Sequence, residues 1–383
     1  ELRLNHPIRP GRTLLFLDEI QAAPGVIPTL RYFHERMPDL HVVAAGSLLE
    51  FALADLRFPM PVGRIEFLHL GPMQFEEFLN ASGKDRLAGY LAEYRIGDPI
   101  PEAIHETCMA FFRQFLVAGG MPGAVSAYLN RRSFREADEA KVSLLSTFRD
   151  DFGKYAGRVP HARIARLFSR LPALVGQRFK YVDADRGERA ADLARALDLL
   201  CMARVAYRVR HTAANGIPLE AQARDKVFRV LFLDCGLVAS GLGLTGLDLL
   251  AREDPLGVQA GALCDQFVGQ HLLYSQPLYR DPEVHFWTRE KAGSSAEVDF
   301  VIAEGPQVVP IEVKSGRTGT LKSLHLFVKE KQRPFAIRLN ADVPSLLDAR
   351  TSVAGGDDVP FRLLSLPLYL VGQVRRLARE ATG

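Results

Sequence analysis

The stretch Leu14-Leu15-Phe16-Leu17-Asp18-Glu19-Ile20-Gln21 governs the reading of the rest of the chain. Four apolar residues run straight into two adjacent carboxylates. An apolar run without polar alternation suits a parallel strand covered on both faces, which would carry both acids to the carboxyl edge of a sheet. The other reading is a core strand that ends in a solvated acidic turn. The flanking segments bear on this choice.

With 383 residues, 48% hydrophobic and 24% charged, the chain can bury large cores, and at about 150 residues per domain it divides into two or three domains. No run approaches the roughly 18 apolar residues of a membrane span, and the polar opening Glu1 to Arg12 lacks the form of a signal peptide. The expected setting is the cytoplasm, with no membrane partner. The four cysteines, Cys108, Cys201, Cys235 and Cys264, form no Cys-x-x-Cys pair, so neither a zinc knuckle nor a disulfide framework is indicated. A net charge of +3 is too small to establish a polyanionic partner, so that case rests on local clustering.

After the acidic strand end, Ala23-Pro24-Gly25 breaks the chain, and a helix is expected from Pro28 to about Arg36. His41-Val42-Val43-Ala44-Ala45 reads as a second buried strand, followed by Gly46-Ser47 and an apolar helix from Leu48 to about Leu56. Val62 to Leu70 alternates like a strand and leads through Gly71-Pro72 into Gln74-Phe75-Glu76-Glu77-Phe78-Leu79. This succession resembles a family of prokaryotic AAA-type ATPases that carry a C-terminal domain of unknown function, number 4143. The resemblance in the ATPase part covers roughly residues 13 to 80.

The resemblance implies that Leu14 to Gln21 is a Walker B strand. Asp18 would then hold a water on Mg²⁺, and Glu19 would polarise the water that attacks ATP. Ser47 would sense the γ-phosphate, its other role being a helix N-cap. Arg64 would carry charge to a phosphate, or else stand as a surface residue. The phosphate-cradling Gly-x-x-x-x-Gly-Lys-Ser/Thr of this class does not occur in the sequence. Gly83-Lys84 is followed by Asp85 and lies after a helix. The expectation is therefore a chain that continues a longer P-loop protein, the alternative being one that holds no nucleotide.

From Asp85 to about Tyr155 the pattern is helical. Ala88, Leu91 and Tyr94 fall on one side of a first helix, and Ile104, Cys108, Phe111, Phe112 and Phe115 recur at helical spacing in the next. Gly119-Gly120-Met121-Pro122-Gly123 reads as a packing turn. The interval Gly157 to Val182 is rich in arginine and has no acid. On a helix from His161, Arg163, Arg166 and Arg170 share one face, opposite Ile164, Leu167, Phe168 and Leu171. With the amphipathic segment Arg189 to Arg204 and the strand Val205 to Val209, this suggests a winged helix-turn-helix whose arginines neutralise DNA phosphates. The alternative is a solvated arginine face on an ordinary bundle. His211 to Asp225 is expected to be a polar connection. Gly241-Leu242-Gly243-Leu244-Thr245-Gly246 matches a dinucleotide fingerprint but follows a short helix, where that motif has no work to do.

The C-terminal part carries Glu297-Val298-Asp299-Phe300-Val301-Ile302, a turn at Glu304-Gly305-Pro306, and Val308-Val309-Pro310-Ile311-Glu312-Val313-Lys314. The two strands form a hairpin that brings Asp299 near Glu312, with Lys314 on the face of Glu312. This is the core pattern of PD-(D/E)xK nucleases, in which the carboxylates hold a divalent metal and the lysine orients a water or steadies the phosphorane. Asp265, on a helix from Gly261, stands where that fold places a helical acid, although glutamate is more usual there. The alternative is a cross-face ion pair.

The expected fold is a multidomain α/β protein. Residues 1–80 would be the remainder of a P-loop AAA-type parallel sheet, 81–156 a helical lid, 157–210 a winged-helix-like unit and 211–383 a PD-(D/E)xK-like domain. The expected function is ATP binding and hydrolysis coupled to DNA, with ATP and Mg²⁺ as cofactors, Mg²⁺ or Mn²⁺ at the C-terminal site, a metal-dependent nuclease as a further candidate activity, and a homo-oligomer as a candidate assembly. The alternative is a non-catalytic binding or regulatory module with relic ATPase and nuclease sites.

Overall fold

The computed structural model describes residues 7–46, 49–50, 63–155, 159–246, 259–289, 296–353 and 357–382. Near its start, β1 (Leu14–Leu17) and β2 (His41–Ala44) form a two-stranded parallel sheet in which Leu14 faces His41 and Leu17 faces Ala44. Between them the chain passes through 3-10 turns and α1 (Leu30–Arg36). Ile20, Ile27 and Leu40 are buried in this ledge. The burial expected on both faces of these strands is not seen among the described residues: Leu14, Phe16, His41 and Val43 share an exposed face, because no further layer of described residues covers it. The expected helix from Leu48 to about Leu56 lies outside the described residues, save for Leu49 and Glu50, which are helical.

The strand expected at Val62 to Leu70 does not form within the described residues 63–70. With no neighbouring strand beside it, this segment is an irregular strap in which His69 N–H donates to the Leu278 carbonyl at 2.9 Å, and Leu68 and Leu70 stand in solvent. The strap leads into α2 (Phe75–Ala81), started by a capping box in which Glu77 accepts the Gln74 N–H at 2.7 Å. The helical region follows as α3 (Asp85–Glu93), α4 (Glu102–Ala118), α5 (Pro122–Arg131), α6 (Phe134–Tyr155), α7 (His161–Arg170) and α8 (Ala190–Met202). The expected stripes are core: Ala88, Leu91, Tyr94, Cys108, Phe112 and Phe115 are buried, and Phe115 meets Phe75, Phe78 and Phe267 edge-on.

The turn after α4 lies against α9 (Cys235–Gly241). Gly119 has φ 75°, and a Cβ on Gly120 would fall 2.1 Å from the Met73 carbonyl, so this double glycine permits a close backbone crossing. Asp234, fully buried, caps α9 through the Leu237 N–H at 3.1 Å and accepts the Gly120 N–H at 2.7 Å. The Gly241 to Gly246 motif thus follows α9 and opens no strand-to-helix phosphate loop.

The C-terminal half is organised by an eight-stranded mixed sheet of order β4-β3-β5-β6-β7-β8-β10-β9. Its strands are β3 (Ala206–Thr212), β4 (Ala223–Phe232), β5 (His285–Thr288), β6 (Glu297–Glu304), β7 (Gln307–Val313), β8 (Phe335–Asn340), β9 (Ser345–Arg350) and β10 (Pro360–Pro367). The pairs β3–β5, β7–β8 and β8–β10 are parallel and the others antiparallel. Alternation along β8 sends Phe335, Ile337 and Leu339 into the large core shared with the helices and Ala336 into a smaller core under α11 (Lys322–Lys331). α10 (Ala260–Tyr274) crosses the large-core face, and α12 (Val374–Thr382) closes the chain.

Two sequence expectations change here. His211 to Asp225 is not merely a connection, because β3 runs to Thr212 and β4 begins at Ala223. The boundary expected at 210 falls inside β3, and the β3–β4 hairpin shares one sheet with the β6–β7 hairpin. The alternating Val205 to Val209 gave no sign that its partners lay so far along the chain.

Candidate functional site

The first acid pair stands at the carboxyl end of β1. The Ala45 N–H donates to the Leu17 carbonyl at 2.9 Å and the Ile20 N–H to the Ala45 carbonyl at 3.0 Å, so the ends of both strands are laced together around Asp18 and Glu19. Both acids are exposed. Asp18 Oδ1 accepts the Glu19 N–H at 3.1 Å, and Gln21 donates to the Glu19 carboxylate. Glu19 has φ 51° and ψ 44°, a left-handed conformation that costs a non-glycine residue about 1 kcal/mol or more and turns the chain sharply out of the strand. Ser47, two residues past Ala45, lies outside the described residues. Arg64 does not stand free: its Nε is 2.8 Å from Glu35 Oε1, which Arg31 also holds.

The second acid set lies where α10, β4, β6 and β7 meet. The structure brings Asp265, Asp299, Glu312 and Lys314 into one neighbourhood, and puts there a residue that the sequence reading missed. Arg229, on β4, is 6% exposed. Its Nη2 is 3.0 Å from Asp265 Oδ2 and 2.6 Å from the Gly176 carbonyl; its Nη1 is 3.3 Å from Asp299 Oδ1, and its Nε is 3.4 Å from Glu297 Oε1. Asp299 Oδ2 accepts the Val313 N–H at 2.8 Å, and Lys314 Nζ donates to Glu312 Oε1 at 2.7 Å. The signal for Arg229 was present as a lone charge inside Val227-Phe228-Arg229-Val230-Leu231-Phe232. Only acids from other elements could pay for its burial.

Burial, then the neighbouring Asp299, pushes the Asp265 carboxyl well above its usual range. Burial and Asp299 likewise raise Glu312, to about 7, and the Lys314 contact does not offset them. Glu312 Oε2 is a buried oxygen with no hydrogen-bond partner among the described residues. Burial works against the charge of Lys314, but Glu312, Asp299 and Asp265 outweigh it and hold the ammonium above its ordinary value.

The expected metal ligands Asp265, Asp299 and Glu312 lie in one neighbourhood, with Arg229 seated against Asp265 and Asp299 and Lys314 against Glu312. The guanidinium of Arg229 contacts both Asp265 and Asp299, and its single charge faces Glu297 as well. Among the described residues, the trio whose ligand atoms all lie within 4.8 Å of one another is Glu220, Glu283 and His285.

Two of the three arginines of the expected basic face are ion-paired with acids of the next segment, and the third bonds a backbone carbonyl there. Arg163 pairs with Glu188 at 2.8 Å, Arg166 reaches Glu188 at 2.5 Å and Asp185 at 3.3 Å, and Arg170 donates to the Asp183 carbonyl at 3.5 Å. Counting acids only inside 157–182 concealed this, because the partners begin at Asp183.

The strap meets the ledge through the Arg64–Glu35 pair, and the second acid set is tied to the strap and α2 by α10. Asp265 is on its first turns; near its end His271 Nε2 accepts the Phe75 N–H of α2 at 2.9 Å while Nδ1 donates to the Phe267 carbonyl at 2.7 Å. Burial holds this neutral imidazole down, to about 4. A Cβ on Gly71 would fall 2.5 Å from the Tyr274 ring, so the strap needs glycine there to lie against α10. A second tie runs from Glu50 to Arg204, which also holds Asp281 at 3.0 Å, and His69 meets the same Asp281 at 3.1 Å.

Family models match three stretches: an AAA domain at residues 1–79, a domain of unknown function (DUF8612) at 109–248 and a domain of unknown function (DUF4143) at 260–344. The chain thus joins an AAA domain to the domain of unknown function 4143, as its motifs imply, and the DUF8612 match runs across the boundaries expected at 156 and 210. No curated protein and no solved structure matches. Among the described residues, no helix is long and apolar enough to cross a membrane.

Proposed function

We propose that this chain is an ATP-hydrolysing AAA-type protein whose nucleotide-facing ledge acts on the C-terminal domain through α10, and that the Asp265, Asp299 and Glu312 cluster is a structural or binding element without nuclease chemistry. The observation that carries the reading is the parallel β1–β2 register, which sets the exposed Asp18 and Glu19 beside the end of the strand leading to Ser47. An AAA domain at this position supports it. Asp18 would hold a water of Mg²⁺, and Glu19, turned out of the strand by its left-handed backbone, would take up the attacking water. Bound Mg²⁺ supplies charge neutralisation on the phosphate oxygens. Movement of the strap between Arg64 and Gln74 would reach α10 at His271 and Tyr274.

The order α7, the Arg178–Arg229 bridge, the helical turn Tyr181–Ala184, α8 and the β3–β4 hairpin supports a winged-helix reading of the middle region. The ion pairs of Arg163 and Arg166 favour a second reading for that region, a module that contacts protein instead of DNA. Duplex binding across a salt series separates the two, since each phosphate contact adds about 0.9 to the slope. The ATPase reading is tested by turnover in a chain that carries the phosphate-binding loop: activity dependent on Mg²⁺ and lost with Asp18→Asn supports it, and undiminished activity in that variant rejects it.

A further inference from the structure

Glu220, Glu283 and His285 come together from three separate places on the β3, β4 and β5 end of the sheet. Glu220 is on the 3-10 turn Glu220–Gln222 that joins β3 to β4, His285 opens β5, and Glu283 lies two residues before it. One ligand atom from each lies within 4.8 Å of the other two. β5 is an interior strand between β3 and β6, and His285 is 3% exposed, so the imidazole is fixed by its surroundings. His285 Nε2 is 2.8 Å from Glu220 Oε2. The other Glu220 oxygen takes Arg210 Nη2 at 2.5 Å, and Arg210 also reaches Asp225 at 3.3 Å.

Glu283 is the anomaly. Its carbonyl accepts from Gln276, but its carboxylate makes no hydrogen bond or ion pair among the described residues, although it stands close to the Glu220 carboxylate. Two carboxylates side by side repel unless a cation lies between them. Arg210 does not fill that role for Glu283, since its donors go to Glu220 and Asp225. Glu283 and Arg210 also line a cleft of about 590 Å³, so the Glu283 side of the cluster is open to ions from solvent.

We propose that Glu220, Glu283 and His285 bind a divalent transition-metal ion of the zinc class. One imidazole and two carboxylates make a mixed nitrogen and oxygen donor set that suits Zn²⁺, whereas Mg²⁺ favours an all-oxygen octahedron. Three protein ligands would leave at least one coordination position for water. The ion would tie the β3–β4 connection to β5, at the point where the hairpin joins the rest of the sheet. The site is separate from the Arg229 cluster and does not depend on the ATPase reading.

The test is calorimetric titration of the chelator-stripped protein with Zn²⁺, with Mg²⁺ as comparison and circular dichroism to establish that each variant is folded. Glu283→Gln alters an exposed side chain and should leave the fold intact. We expect one Zn²⁺ per chain, with binding weakened at least about tenfold by Glu283→Gln and by Glu220→Gln. Cys201→Ser, at the half-buried thiol, and Glu312→Gln, at the other cluster, should leave the affinity unchanged. Absence of uptake overturns the proposal, as does uptake indifferent to both glutamate variants, or uptake lost with Cys201→Ser or Glu312→Gln.

Discussion

Asp18 and Glu19 stand in water at the end of a two-stranded ledge, whereas Asp265, Asp299 and Glu312 are enclosed around Arg229 and Lys314 where a helix and three strands meet. The residue types are similar and the settings opposite. The exposed pair is bound mainly to its own turn and is free to meet an incoming ion, at the small cost of one left-handed backbone residue. The enclosed set is bound into the sheet by Arg229 and Lys314, two cations that leave its four acids, Asp265, Glu297, Asp299 and Glu312, in excess. A carboxylate motif read along the chain therefore reports chemistry only after the surrounding charges are known.

The strongest way to break this comparison is Arg229→Met. If the enclosed acids depend on the guanidinium, its loss leaves buried carboxylates without a partner and should cost about 3–5 kcal/mol in urea unfolding. A cost near zero would mean that Arg229 is a bystander and the acids are free for another ion. Next in size is the pH dependence of Glu312, whose folded value of about 7 lies above its ordinary value of 4.5. A raised acid destabilises the fold as pH climbs from about 4.5 to 7, because the folded state holds the proton longer; below that window the penalty is absent, and above it the penalty is constant. At about 1.4 kcal/mol per unit this amounts to roughly 3 kcal/mol, and Glu312→Gln should flatten that part of the stability profile. An unchanged profile would remove Glu312 from the enclosed set.

A smaller effect is expected at the tie between the two regions. Glu50→Gln weakens the ion pair with Arg204, itself a left-handed residue at φ 55°, and should cost about 1 kcal/mol or less. Faster hydrogen exchange in the strap from 65 to 74 is the sharper reading, and exchange unmoved there would show that the His69, His271 and Tyr274 contacts hold the strap without the Glu50 tie. The smallest change in stability, within about 0.5 kcal/mol, is expected for Asp18→Asn, since an exposed side chain supports little of the fold.

Much of the architecture was legible where pattern and period agree. The strands around Leu14 and Val42, the Phe-rich helices and the hairpin of Asp299 and Glu312 follow from apolar runs and short turns. The strap at 65–70 was misread because alternation alone does not supply a neighbouring strand. Arg229, Glu188 and Asp185 escaped notice as partners because their ion pairs link elements far apart in the sequence, which no local window contains. The acids themselves were visible from the start; the charges that determine their freedom were not.

The account turns on Glu19 being free for catalysis. The direct measurement is Mg²⁺-dependent ATP turnover, paired with urea unfolding, of Glu19→Gln in a chain that carries the phosphate-binding loop. Turnover reduced about 100-fold or more at an unchanged unfolding midpoint is the predicted result. Turnover equal to that of the unmodified chain, or lost only in step with the fold, would contradict it.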